Sequence, residues 1–146
     1  MSVPPLEKRV TVRPLRPHRD ARGGLLKILM RSHLPAHAHT FGEIYISWAE
    51  PGAVKANHYH RETWEWFCLI EGEGLLVLED PRRGERMELA LDAEHPLVVT
   101  VPPGVAHAFR NTGSGVARLL AYADRPYDPE HPDTIPYEVI RSDDTE

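Results

Sequence analysis

An all-β fold, a sandwich or barrel of short strands, is what this 146-residue sequence predicts. Short stretches rich in branched and aromatic side chains recur at about 8–12-residue spacing. Fourteen prolines and ten glycines are spread along the chain and punctuate it with turns. No segment of helical period and useful length interrupts this pattern before the C-terminus.

The elements follow in order. Residues 10–12 read as a short first strand, ended by Pro14 and Pro17. Asp20-Ala21-Arg22-Gly23-Gly24 reads as a turn, residues 25–30 as a second strand, and the His- and Pro-bearing stretch 32–40 as a loop. Residues 43–49 alternate, with Ile44, Ile46 and Trp48 on one face and Glu43, Tyr45 and Ser47 on the other, the mark of a half-buried strand. Further strands are expected over 66–70, 75–79, 86–91, 97–101, 106–110 and 116–123. Glu71 to Gly74, the Pro81-Arg82-Arg83-Gly84 loop, Pro102-Pro103-Gly104 and Asn111 to Gly115 separate them. One domain over residues 1–140 with an N-terminal strand arm fits this length, with residues 141–146 as an acidic disordered tail.

Composition narrows the function. Cys68 is the single cysteine, so no intrachain disulfide forms; it reads as a small buried residue, and the chain as a protein of a reducing cytoplasm. No signal-peptide core and no membrane-length apolar run is present, so no membrane is expected as a partner. The net charge of −5 argues against nucleic-acid binding. The charge is uneven: residues 1–31 hold eight of the 17 Lys and Arg against Glu7 and Asp20. Such an arm meets phosphate, pairs with the protein's own acids, or is a solvated face.

Nine histidines concentrate the chemistry. His58 and His60 stand two apart, so in a strand both imidazoles point to one side. Glu65 opens the next apolar strand, and His107 follows Pro102-Pro103-Gly104. If the sheet closes with these strands facing inward, three nitrogens and one carboxylate meet. That donor set suits one divalent metal, Zn first and Fe, Mn, Ni or Co besides, with positions left open for water or substrate. His37-x-His39 falls in a loop, where a mobile surface position is the plainer reading and a second metal site the sharper one.

Gly52, His58-x-His60, Glu65 and Gly72 resemble the first cupin motif, and Pro102-x-Gly104, His107 and Asn111 the second. Pro96 stands where the second motif carries an earlier glycine. The resemblance implies a cupin double-stranded β-helix, a jelly-roll barrel, with His58, His60, Glu65 and His107 as metal ligands. A narrower likeness lies outside those motifs. Asp20-Ala21-Arg22-Gly23 with Leu25, and Lys55-Ala56-Asn57-His58-Tyr59, are similar to segments of dTDP-4-dehydrorhamnose 3,5-epimerases. Tyr127-Asp128-Pro129-Glu130-His131-Pro132-Asp133-Thr134 is similar to the end of the cupin domain in capsule-pathway UDP-sugar epimerases.

These likenesses imply a nucleotide-sugar epimerase acting beside the ketone of a 4-keto-6-deoxy sugar. They place His58, Lys55 and Tyr122 as catalytic candidates and Arg22, Lys55, Trp64 and Tyr59 at the substrate, with Tyr45 a further aromatic that could stack there and Arg22 arriving from a neighbouring subunit. Glu65 stands where the metal-free enzymes carry a lysine, and Tyr122 lies one residue out of the register expected for the acid; one residue reverses a strand side chain's face. A homodimer exchanging the N-terminal strand is expected. An Fe(II) or Mn(II) dioxygenase and a non-catalytic sugar-binding cupin are the other readings.

Overall fold

A computed structural model describes residues 3–141. After a one-turn helix α1 (Leu6–Arg9) come twelve strands. They are β1 (Thr11–Pro14), β2 (His18–Asp20), β3 (Gly23–Leu25), β4 (Glu43–Ala49), β5 (Val54–His60) and β6 (Glu65–Glu71), then β7 (Glu73–Glu79), β8 (Arg86–Asp92), β9 (Leu97–Val101), β10 (Ala106–Asn111), β11 (Ala117–Ala123) and β12 (Thr134–Pro136). One five-stranded antiparallel sheet runs β1-β9-β6-β11-β4 and the other β12-β5-β10-β7-β8. Their inner faces enclose Phe67, Leu69, Leu76, Leu78, Val99, Val101, Phe109 and Leu119. The all-β jelly roll of the cupin expectation is the fold observed.

Consecutive strands often change sheets, and the corners need particular residues. Between β6 and β7 the chain turns at Gly72, whose φ is 85° and whose missing Cβ would lie 2.8 Å from the Val116 carbonyl oxygen. Gly74 yields its side-chain space to Phe109, whose ring a Cβ would meet at 2.2 Å. Both glycines let the two sheets close over an aromatic core.

Two segments cap the outer faces. Residues 26–41 lay Ile28, Leu29, Leu34 and Ala38 over Trp66, Cys68, Val98 and Tyr122. The C-terminal stretch packs Tyr137, Val139 and Ile140 over Val77, Ala106 and Ala108. At the other end, the Arg9 guanidinium meets the buried Asp80 carboxylate at 2.5 Å and ties α1 to the β7–β8 hairpin.

Several expectations need correction. Residues 25–30 are not a strand; β2 and β3 form a small separate hairpin, and the chain then leaves as a covering segment whose apolar side chains pack without a ladder. The first strand lies at 11–14, not 10–12, and pairs with β9, Thr11 against Thr100 through Pro14 against Leu97. In β4 the alternation holds, but the polar side faces the cleft while Ile44, Ile46 and Trp48 are 57%, 47% and 56% exposed. The helix α1 and strand β12 carried no sequence signal, being too short for periodicity to register. The tail expected at 141–146 lies, apart from Arg141, outside the described residues.

Candidate metal centre and cleft

The inward aim of His58 and His60 depends on a fault in β5. His107 pairs with His58, yet the next residue, Ala108, pairs with Ala56, so Asn57 is left over as a β-bulge. Ala56 and Asn57 both adopt positive φ, 74° and 57°. In an unbroken strand Lys55 and His58 would face opposite sides. The extra residue lets Lys55 line the same pocket as His58, while Tyr59 faces outward.

The ligand atoms of His58, His60, Glu65 and His107 all lie within 4.8 Å of one another. Glu65 heads β6, buried to 2% exposure, and His107 sits on β10 at the same depth. Glu65 Oε1 is 2.8 Å from His60 Nε2 and 3.3 Å from His107 Nε2. None of these three buried atoms has a hydrogen-bond partner of acceptable geometry. His107 Nδ1 is 3.2 Å from the Val105 carbonyl oxygen; a carbonyl only accepts, so Nδ1 carries the proton and Nε2 keeps its lone pair. Lone pairs and a carboxylate crowded together in a dry site are costly unless a cation lies among them, so the donor set fits a divalent metal.

Electrostatics follow from the same crowding. Burial, then the neighbouring His107 and His60, pushes the His58 pKa down to about 4. Burial opposes charge on His60 too, but its contact with Glu65 outweighs this and raises its pKa. Burial would raise the Glu65 pKa; the imidazoles of His107 and His60 beside Oε1 instead hold it well below the usual carboxylate range. Tyr45 donates its hydroxyl to Glu65 Oε2 at 2.6 Å, and burial together with that negative charge pushes the phenol's pKa up.

Above the cluster opens a cleft of about 860 Å³, whose walls include Glu43, Tyr45, Arg61, Arg125 and His131. On the other side of His58 and His107 the interior continues as a smaller, apolar pocket of about 160 Å³, with Lys55 and Trp48 among its walls. Behind the ligands, Thr134 of β12 sets its hydroxyl 3.4 Å from His60 Nδ1. Asp133 accepts hydrogen bonds from the backbone N–H groups of Arg61, Glu62 and Thr63, fixing the turn between His60 and Glu65.

Other residues singled out in the sequence lie elsewhere. Tyr122 pairs with Trp66 and Ile44 on the outer face, and its hydroxyl donates to the Ala38 carbonyl at 3.0 Å, so it does not reach the cleft. Ala123, one position on, lines the cleft instead. Tyr59 faces outward against Tyr137. Trp64 stacks near Trp66 and His37 on the covered outer side. Arg22 extends from the β2–β3 hairpin, its side chain 90% exposed and paired only with Asp20 in the contacts described. His37 pairs with Asp124 at 3.1 Å, and His39 reaches the Leu34 carbonyl; neither joins the cluster. Cys68 is buried, its pKa pushed up to about 11 by burial. Tyr45, a candidate for stacking on substrate, instead contacts Glu65 across an intervening strand, and Asp133, far downstream in a proline-rich tail, was missed as a site residue.

Residues 18–135 match the family described as the polysaccharide biosynthesis C-terminal domain. This chain belongs to that family. The polysaccharide biosynthesis domain is 30% identical over 129 residues to the spore coat polysaccharide biosynthesis protein SpsL of Bacillus subtilis, covering 85% of this chain and 84% of SpsL. It is 26% identical over 117 residues to a UDP-2-acetamido-2,6-beta-L-arabino-hexul-4-ose reductase of Pseudomonas aeruginosa, covering 80% of this chain but 30% of the reductase. Among solved structures, the capsular polysaccharide assembling protein CapF of Staphylococcus aureus superposes with a TM-score of 0.66 at 26% identity, over 86% of this chain and 35% of CapF. A dTDP sugar isomerase of Desulfovibrio desulfuricans shares the fold with a TM-score of 0.78 at 24% identity, over 94% and 92% of the two chains. The chain thus spans about a third of the reductase and of CapF, and most of SpsL. Among the described residues no helix is long and apolar enough to cross a membrane.

Proposed function

We propose that this domain is a metal-dependent epimerase or isomerase that moves a proton beside the ketone of a nucleotide-linked 4-keto-6-deoxy sugar. The observation that carries the reading is the convergence of four ligand atoms within 4.8 Å at the base of an open cleft. Membership of a polysaccharide biosynthesis family supports a sugar substrate over that of a dioxygenase with the same ligands.

His58, His60, Glu65 and His107 would hold one divalent cation. That cation would supply Lewis-acid stabilisation of charge developing on the ketone oxygen. The chain's own groups do the rest. The apolar walls around Phe67, Leu76 and Phe109 exclude water from the inner end of the site. Lys55, an exposed cation that lines the pocket beyond His58, would balance substrate charge or carry a proton. Removal of the proton next to the ketone leaves an enolate, and reprotonation on the other face inverts the carbon.

The domain would act as a homodimer. Strand β4 is an unpaired sheet edge with Ile44, Ile46 and Trp48 outward. Arg22 does not line the cleft over the cluster in its own chain, so it would serve the site only from a second copy.

Proton exchange in D₂O, followed by NMR with a UDP- or dTDP-4-keto-6-deoxyhexose, tests the reading. Deuterium should enter at C3 or C5 of the sugar, and chelator, His58→Ala or His107→Ala should stop it. Exchange that survives chelator would make the histidines bases rather than ligands. No exchange in metal-loaded protein would sink the epimerase reading and leave oxygen uptake or simple sugar binding as the activity to measure.

A further inference from the structure

Glu65 uses its two oxygens differently. Oε1 faces His60 Nε2 and His107 Nε2, the side on which the ligand atoms gather. Oε2 accepts the Tyr45 hydroxyl at 2.6 Å, a short hydrogen bond of the charge-assisted kind. Tyr45 comes from β4, two strands away from β6, with β11 between them. It reaches across because the inward residues of β11 at that level, Ala121 and Ala123, have no side chain beyond Cβ; they pair with Tyr45 and Glu43 on one side and Phe67 and Glu65 on the other. At 3% side-chain exposure the carboxylate has no water to replace this partner.

We propose that Tyr45 is a positioning residue that fixes Glu65 as a one-oxygen ligand, holding Oε2 so that only Oε1 is offered to the cation. The inference rests on the metal reading above. A carboxylate free to rotate offers both oxygens and raises the coordination number, closing a position that substrate needs. Tyr45 opposes that rotation, since swinging Oε2 toward the histidines breaks a short charge-assisted hydrogen bond. The open coordination position is therefore kept open by a residue that need not touch the metal.

The test compares wild-type protein and Tyr45→Phe loaded with Co²⁺, read by visible absorption and by competition with a chelator. Phenylalanine keeps the ring and its packing, and the melting temperature of the metal-free variant checks that the barrel is intact. The expected result is a weaker visible absorption band in Tyr45→Phe, from a higher coordination number. A 10–100-fold loss of Co²⁺ affinity should accompany it, the usual effect of removing a group that orients a ligand. An unchanged band overturns the proposal whatever the affinity does, because weaker binding alone is what a structural role would give. A wild-type protein that takes up no Co²⁺ or Zn²⁺ overturns the metal reading and this inference together, and that failure shows before any variant is compared.

Discussion

Asn57 and Ile140 hold each other by two hydrogen bonds: Asn57 Oδ1 accepts the Ile140 backbone N–H at 3.0 Å, and Asn57 Nδ2 donates to the Ile140 carbonyl at 3.0 Å. Oδ1 also accepts the Val139 N–H at 2.8 Å. The C-terminal strap is thereby fastened to the bulge that aims His58 into the barrel. Asn57→Ala should cost about 2–3 kcal/mol, since it strands backbone groups packed under the strap. Asn57→Asp keeps the acceptor and loses only the donor, so it should cost less. Denaturant melts of both variants check the order, and equal stabilities for wild type and Asn57→Ala would remove the strap's role.

The same residue marks where sequence reasoning stopped. The cluster was legible because His58-x-His60, Glu65 and His107 sit among turn residues whose spacing recurs in the cupin motifs. The bulge was not, because Ala56 in the left-handed region has no local signal, and a strand of unbroken period would have put Lys55 opposite His58. Strand β4 was located to the residue, and which of its faces meets the cleft was left open. Alternation fixes that two faces differ; which one meets the cleft depends on Glu65 two strands away. Tyr122 shows the converse, since its one-residue offset in sequence correctly pointed to the outer face it occupies.

Metal should stabilise the fold. If the four ligands bind a divalent cation only in the folded state, Zn²⁺ at a hundred times its Kd adds about 2.7 kcal/mol. For a domain of this size that is roughly 5–10 °C in melting temperature. Chelator should reverse the shift and His107→Ala should lack it. An equal shift in His107→Ala would place the bound ion elsewhere.

Asp80 gives a pH dependence remote from the cluster. Burial raises its pKa, but the hydrogen bonds from Arg9 and from the Arg82 and Arg83 backbone outweigh this and hold it below the usual value. A carboxyl whose folded pKa lies below the unfolded value, about 3.9, stabilises the fold above that pH and loses its contribution as pH falls through the folded pKa. Arg9→Ala should therefore cost about 1–2 kcal/mol at neutral pH, and the gap from wild type should narrow below about pH 4. Urea melts across that range check it; a gap that stays constant into acid would mean the guanidinium acts through packing alone.

Tyr122→Phe separates the outer face from the cleft. The hydroxyl donates to the Ala38 carbonyl, so its loss should cost about 1 kcal/mol of stability. Proton exchange on a keto-sugar should continue at the wild-type rate, because no group of the cleft contacts that hydroxyl. A collapse of exchange with unchanged stability would return Tyr122 to the catalytic role that the epimerase resemblance gave it.

The β4 edge makes the last prediction. A two-fold axis beside an edge strand sets that strand against its own copy, so any substitution there acts twice. Ile46 is outward in the middle of β4, with Ile44 and Trp48 flanking it on the same face. Ile46→Lys places two ammonium groups near one axis, and like charges facing each other across a strand pair repel. Light scattering should give twice the chain mass for wild type and the single chain mass for Ile46→Lys. Arg22→Ala would then weaken exchange in the dimer, and a mixed dimer of Arg22→Ala with His107→Ala subunits should regain one working site, since one subunit keeps its ligands and the other lends the arginine. A wild-type protein that runs as a monomer ends the dimer argument, and with it any role for Arg22 at the cleft.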